Sequence, residues 1–190
     1  MRLVILLIGT ALLSALLPGA ATAANYKLDP DHTFPSLEFS HLGLSIWRGK
    51  FNRTTGTATL DLAARTGAVN VQVETGSIDF GLDSMQEYAV RPDWLDAAKY
   101  PFMTYTGSIV FAGNKPVAVN GQLTLRGVTR PLRLTINSFK CIEHPFYKKE
   151  ACGADAEGQL NRADFGLTQY AEGEAGQVRL RIQVEALKED

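Results

Sequence analysis

From residue 24 onward, apolar and polar positions alternate with a period of two. "VRLRIQVEA" sets Val178, Leu180, Ile182 and Val184 on one face and Arg179, Arg181, Gln183 and Glu185 on the other. "VNVQVET" repeats the pattern with Val69, Val71 and Val73, and "LRLTI" with Leu132, Leu134 and Ile136. "VAVNGQLTLRG" does so with Val117, Val119, Leu123 and Leu125 around Gly121. Such alternation predicts antiparallel strands with one wet and one buried face. Turn formers fall between the runs: Gly67, "AGNKP" at 112–116, "RGVTRP" at 126–131 and "EGEAG" at 172–176. The reading gives eight strands, near 26–40, 47–62, 67–79, 101–112, 116–126, 129–140, 154–163 and 176–187. An even set of long, hairpin-linked strands predicts an all-β fold, an eight-stranded antiparallel up-and-down barrel that abolishes its edges. A two-sheet sandwich would show the same periodicity.

One interval departs from it. In "LDSMQEYAVRPDWLDAAKYP", residues 82–101, Leu82, Met85 and Tyr88–Ala89 have helical spacing, Pro92 interrupts, and Trp94, Leu95 and Ala98 resume. Two short helices are expected between the third and fourth strands, set at one barrel end. No repeat, low-complexity tract or dividing linker occurs, so residues 24–190 read as one domain.

The first residues change where the protein is expected to work. Arg2, an apolar run from Leu3 to Leu17, the Pro18-Gly19 break and Ala21-Thr22-Ala23 form the pattern of a cleaved signal peptide over residues 1–23. The run is short of the roughly 20 residues a membrane span needs. The expected mature chain is an exported, soluble, periplasmic protein of 167 residues, enough for one core. Without Arg2 it has 18 basic and 20 acidic side chains, a balance that predicts no attraction to nucleic acid. In an oxidising compartment Cys141 and Cys152 are expected to form a disulfide. Closing so short a loop contributes about 3 kcal/mol. A metal site using Glu143 and His144 would be the alternative, but its spacing is not that of zinc ligands.

Chemistry is hard to find in the rest. There is no G-x-S-x-G elbow, no phosphate-cradling glycine loop and no H-E-x-x-H pair, and no cofactor or metal is expected. His32 and His41 lie nine positions apart, so on one regular strand they face opposite ways unless Pro35 marks a bulge that resets the phase. Extended, they would be about 30 Å apart and share neither proton nor metal. What the chain offers is an apolar interior. Phe39, Trp47, Phe51, Tyr88, Trp94, Phe102, Tyr105, Phe111 and Phe165 supply aromatic surface, while Gly49, Gly56, Gly107 and Gly121 are expected to leave room inside. A closed eight-stranded barrel is just wide enough for side chains or one small ligand.

The segments "DPDHTFPSLEFSHLGLSIWRGKF", "GSIDF", "DWLDAAKYPFMTYTG", "VNGQLTLRGVTRPLRL" and "LNRADFG", in that order, resemble the YceI-like family of periplasmic polyisoprenoid-binding proteins. The likeness spans the mature chain and is most specific at Gly121–Pro131. It implies a lipocalin-like barrel with a long apolar cavity that holds an isoprenoid such as a polyprenyl diphosphate, a quinone tail or another long amphiphile. It implies a binding or carrier protein, in some relatives linked to stress responses, and not an enzyme. Many relatives carry an Arg-Asp-x-His segment where this chain has Gln86, Glu87, Tyr88 and Ala89, which points to a less anionic head group. Leu37, Phe39, Phe51, Met85, Trp94, Phe102, Tyr105 and Leu123 are the expected lining residues. His41, Arg48 and Arg162 are expected at the mouth or in barrel-closing hydrogen bonds. The expected partners are the lipid, a membrane met transiently and a second copy forming a homodimer. An enzyme using His41 as base on the bound lipid, or a filled barrel serving as an interaction module, would be the alternatives.

Overall fold

A computed structural model describes residues 23–190; the expected signal peptide lies, but for its last residue, outside them. The strands are β1 (Ala24–Leu28), β2 (Phe34–His41), β3 (Ser45–Phe51), β4 (Thr54–Asp61), β5 (Thr66–Glu74), β6 (Ile78–Asp79), β7 (Phe102–Ala112), β8 (Lys115–Leu125), β9 (Val128–Glu143), β10 (Glu150–Asn161) and β11 (Gln177–Lys188). Every pairing is antiparallel, in the order β1-β4-β5-β7-β8-β9-β10-β11, and β11 closes back on β1. The result is a closed eight-stranded up-and-down barrel, as the alternation predicts, and not a sandwich.

β2, β3 and β6 continue β1, β4 and β5 past bends, so the first three long runs of the sequence each make one broken path along the wall. The breaks have local causes. At 29–33 Pro30 has no N–H to give a ladder, and the Asp29 carboxylate accepts from the Asp31 N–H at 3.0 Å. Thr33 Oγ1 then takes over the ladder, donating to Glu185 O at 3.1 Å and accepting from Glu185 N at 3.2 Å. The register of β2 against β11 runs without a shift through Pro35, so the bend, not a bulge at Pro35, resets the phase.

Two bulges change the alternation elsewhere. Val117 and Asn137 are extra residues, opposite Val110/Phe111 and Asp155/Ala156. Beyond each the facing set moves by one, so Pro116 and not Val117 points inward, and Phe139 follows Ile136 on the inner face.

Only one of the two expected helices forms. α1 (Asp83–Ala89) packs on β6. Past Pro92 the chain makes hydrogen-bonded turns, with Leu95 N–H bound to Ala89 O and Tyr100 N–H to Asp96 O. Asp96 takes a left-handed φ of 50°, which ends any continuing helix. α1, these turns and residues 162–176 gather at the barrel end that carries the β2–β3 hairpin. The opposite end carries the 144–149 loop and both termini of the barrel. One apolar cluster, including Phe51, Ile78, Met103 and Phe165, packs the first end. Another, Tyr26, Leu28, Leu60, Cys152 and Ala186, packs the second.

Candidate functional site

Between the end clusters the lumen is hollow. A cavity of about 320 Å³ runs inside the wall, touched by side chains of every strand. That volume sits at the low end of the roughly 300–1,000 Å³ of small-molecule sites. Along β5 and β11 the inward residues Val69, Val71, Leu180, Ile182 and Val184 remain only half-buried, because they border empty space instead of one another. The lining is apolar nearly throughout; the polar residues that border it, Trp94 and Arg162 among them, turn their carbon atoms to it.

The glycines expected to make this room do something else. Over Gly49 lies the Phe80 ring, where a methyl group would come within 2.6 Å of it. Gly121 is covered by the Tyr105 ring. These positions seat aromatic rings flat against the wall, and the hollow comes from the aliphatic middle instead.

Of the expected lining residues, Leu37, Phe39, Phe51, Met85, Trp94, Tyr105 and Leu123 border the cavity. Phe102 does not: it is half exposed, and its neighbour Met103 is buried in the lining. Glu74 pairs with Phe102 at the first rung of β7, which fixes Met103 and Tyr105 as the inward pair. Arg48 is also outside, on the wet face of β3, where it donates to Glu38 at 3.0 Å. His41 stacks on Trp47, centroids 4.6 Å apart, as the outermost member of an aromatic group with Phe39 and Phe80. That group seals the hairpin end, and His41 does not reach the cavity. His32 bonds Asp29 at 2.8 Å, and His144 stacks on Tyr147 in the 144–149 loop. The three imidazoles therefore stand at separate places, none of them in the lining. Among the described residues no three His, Cys, Asp or Glu side chains are grouped to hold a metal.

Arg162 is expected at the mouth, and it borders the cavity at the α1 end while only 8% exposed. Its Nε donates to Ala175 O at 3.1 Å, Nη1 to Leu167 O at 3.2 Å and Nη2 to Tyr170 O at 2.6 Å. The guanidinium thus braces the 167–175 segment, and it also lies over the Trp94 ring, 5.0 Å from the centroid. Burial pulls its pKa below the usual guanidinium value with no carboxylate to counter it. Trp94 Nε1 is buried and has no acceptor, and neither has the Thr54 hydroxyl. No sequence signal marks this gap, since a missing partner is a property of packing.

Tyr105 crosses the wall from β7, its hydroxyl reaching Leu132 O at 3.0 Å and Val119 O at 3.3 Å. Burial pushes that hydroxyl up to about 12. At the far end the Tyr26 hydroxyl donates to Glu150; burial first, then the carboxylate, raise it far above its ordinary value. Cys141 and Cys152 face each other across β9 and β10 and are joined as expected.

The pattern of the YceI-like domain matches residues 26–186. This chain belongs to the YceI-like family. Protein YceI of Salmonella arizonae is 33% identical over 187 residues, covering 96% of this chain and 97% of that one. Among solved structures, BcnA of Burkholderia cenocepacia superposes with a TM-score of 0.67 at 20% identity, over 83% of this chain and 98% of that chain. A polyisoprenoid binding domain from Saccharophagus degradans gives 0.62 at 15% identity, over 88% and 100%. At such identities these two structures show a shared fold. The hollow interior of this YceI-like barrel follows from its own lining side chains.

Proposed function

We propose that this YceI-like protein is a periplasmic binding and carrier protein for a long-chain isoprenoid or a similar amphiphilic lipid, held with its apolar tail in the barrel. The carrying observation is the cavity of about 320 Å³ with its nearly unbroken apolar lining. The naming of the Saccharophagus neighbour as a polyisoprenoid binding domain supports the ligand class. Burying about fifteen methylene-sized groups gives roughly 12 kcal/mol gross. Association and chain ordering remove at least about 4 kcal/mol, and the remainder corresponds to a micromolar Kd. Binding rather than turnover fits a lining without histidine or carboxylate. Leu42, Leu44 and Ile46, exposed on the β2–β3 hairpin, support a brief membrane contact during loading.

Native extraction of the purified protein with organic solvent, followed by mass spectrometry, tests the reading. A co-purifying prenyl lipid or amphiphile is expected. A lumen that arrives empty and then refuses a series of prenyl quinones in titration refutes it.

A further inference from the structure

The β2–β3 hairpin ends in aliphatic side chains held out in water. Leu42 and Leu44 are 79% and 82% exposed, and Ile46 is 48%. The stretch Phe39–Trp47 carries no Asp, Glu, Lys or Arg, and the first charges behind the tip are Glu38 and Arg48, paired across the two strands at 3.0 Å. At about 3.3 Å per residue those charges stand roughly 13 Å back from the two leucines. Between them lie the stacked rings of His41 and Trp47. Leu42 also takes a left-handed φ of 56°, a conformation that Asn or Gly enters at least cost. Among the described residues it is the one aliphatic side chain so placed, and it stays in water all the same. Under the tip the apolar surface continues inward. The Trp47 ring packs 6.1 Å from Phe39 and 6.4 Å from Phe80, centroid to centroid, and those two residues border the cavity.

We propose that the β2–β3 hairpin is a bilayer-inserting tip, which sets the Phe39–Trp47–Phe80 cover of the cavity against the acyl chains, so that lipid enters and leaves at this end. Surface-bound amphipathic elements sink about 5–10 Å into the boundary between head groups and acyl chains. At that depth the leucines are covered, Trp47 lies at the interface where an indole is favoured, and Glu38 and Arg48 stay in water. A protein partner fits less well. Three aliphatic side chains on a hairpin turn fall far short of the roughly 800 Å² that each partner gives a stable interface, whereas a fluid bilayer needs no matching surface. The opposite barrel end also exposes aromatic rings, Phe146 and Tyr147, but Lys148 and Lys149 adjoin them and the Glu143–Glu150 rung lies behind. That loop cannot sink without taking charge out of water. The hairpin tip has no charge with which to select an anionic surface, so it recognises the apolar interior common to all bilayers. The inference rests on the proposed lipid-carrier function and adds to it the docking element and the end at which loading takes place.

The test uses the mature protein, vesicles of phosphatidylcholine with and without phosphatidylglycerol, and a short-tailed prenyl quinone. Wild type is expected to float with both kinds of vesicle to the same extent, at high salt as at low. Leu42→Asn and Leu44→Ser are each expected to weaken vesicle binding about tenfold. Neither is expected to lower the Tm, since Asn suits the left-handed φ and Leu44 is exposed. Changing Phe146 and Tyr147 to serine is expected to leave vesicle binding as it is. In a Trp94→Phe background Trp47 is the sole indole, and lipids brominated high on the acyl chain are expected to quench its emission. Uptake of the quinone from loaded vesicles is expected to slow about tenfold in the two leucine variants, while its Kd without vesicles keeps the wild-type value. The tip is overturned, with the carrier reading intact, if wild type takes up the quinone yet binds neither kind of vesicle. Vesicle binding that survives both leucine changes, requires phosphatidylglycerol or is lost with Phe146 and Tyr147 has the same meaning. So has a Trp47 that brominated lipid leaves unquenched, or uptake from vesicles that the leucine changes do not slow. Refusal of the quinone with and without vesicles overturns the carrier reading and with it the loading route, even where the leucines still bind vesicles.

Discussion

Replacing Tyr105 by Phe removes one hydroxyl and leaves the ring over Gly121. At pH 7 the loss is that of a buried neutral hydrogen bond shared between Leu132 O and Val119 O, about 1 kcal/mol. For a chain of this size that lowers the Tm by about 2–4 °C. At high pH the comparison reverses. Unfolded, the phenol ionises near 10.0; folded, it is held neutral up to about 12. A group that must shed its proton more reluctantly when folded contributes stability that is complete below pH 10 and disappears as pH climbs through 12. The rise corresponds to about 2.7 kcal/mol of wild-type stability, and Tyr105→Phe has none of it to lose. Urea unfolding followed by circular dichroism from pH 7 to 11.5 is therefore expected to show two curves that cross near pH 11. Wild type is the more stable below that point and the variant above it. The remaining tyrosines titrate equally in both proteins and cancel in the difference. A gap between the curves that stays constant with pH refutes the burial of the hydroxyl and the strap across β8 together.

Two further outcomes test other parts of the wall. Replacing Cys141 and Cys152 with serine is expected to lower stability by about 3 kcal/mol for a sequence separation of 11, read as a lower melting temperature; a loss below about 1 kcal/mol would mean the open loop is already constrained. Met103→Ala is expected to cost about 2–5 kcal/mol and Phe102→Ser under about 1 kcal/mol, because only Met103 faces inward. Equal costs would show that the register of β7 is wrong.

The eight runs of alternating residues were legible because each strand needs one oily face, and that need is written at period two. Closure of the ring is visible only in the pairing of β1 with β11, residues too far apart in sequence for a local pattern to connect. Phase was lost where the backbone, not the side chains, sets it. Val117 looks inward by counting from Val119, but a bulge hands that place to Pro116. Phe102 looks like lining because it is aromatic, yet Met103 holds the inward position. The second helix failed for a reason partly readable, Pro92, and partly not, the left-handed turn at Asp96. Arg162 and Trp94 were legible as candidates through the family resemblance. That the Arg162 guanidinium covers the Trp94 ring while bonding three backbone carbonyls depends on where the 162–176 segment folds back, which no spacing rule reports.

The ring is sealed by its earliest and latest strands: Tyr26 sits beside Lys188, and the Glu189 N–H binds Asn25 O at 2.8 Å. Such a vessel has no finished seam until β11, Gln177–Lys188, is available. A chain still being made, or cut short before Gln177, must carry two raw strand edges that invite pairing with other molecules. Quality control for this protein is thus a matter of delivering β11, and losing its contact with β1 is expected to spill the lumen before it disturbs the remaining wall.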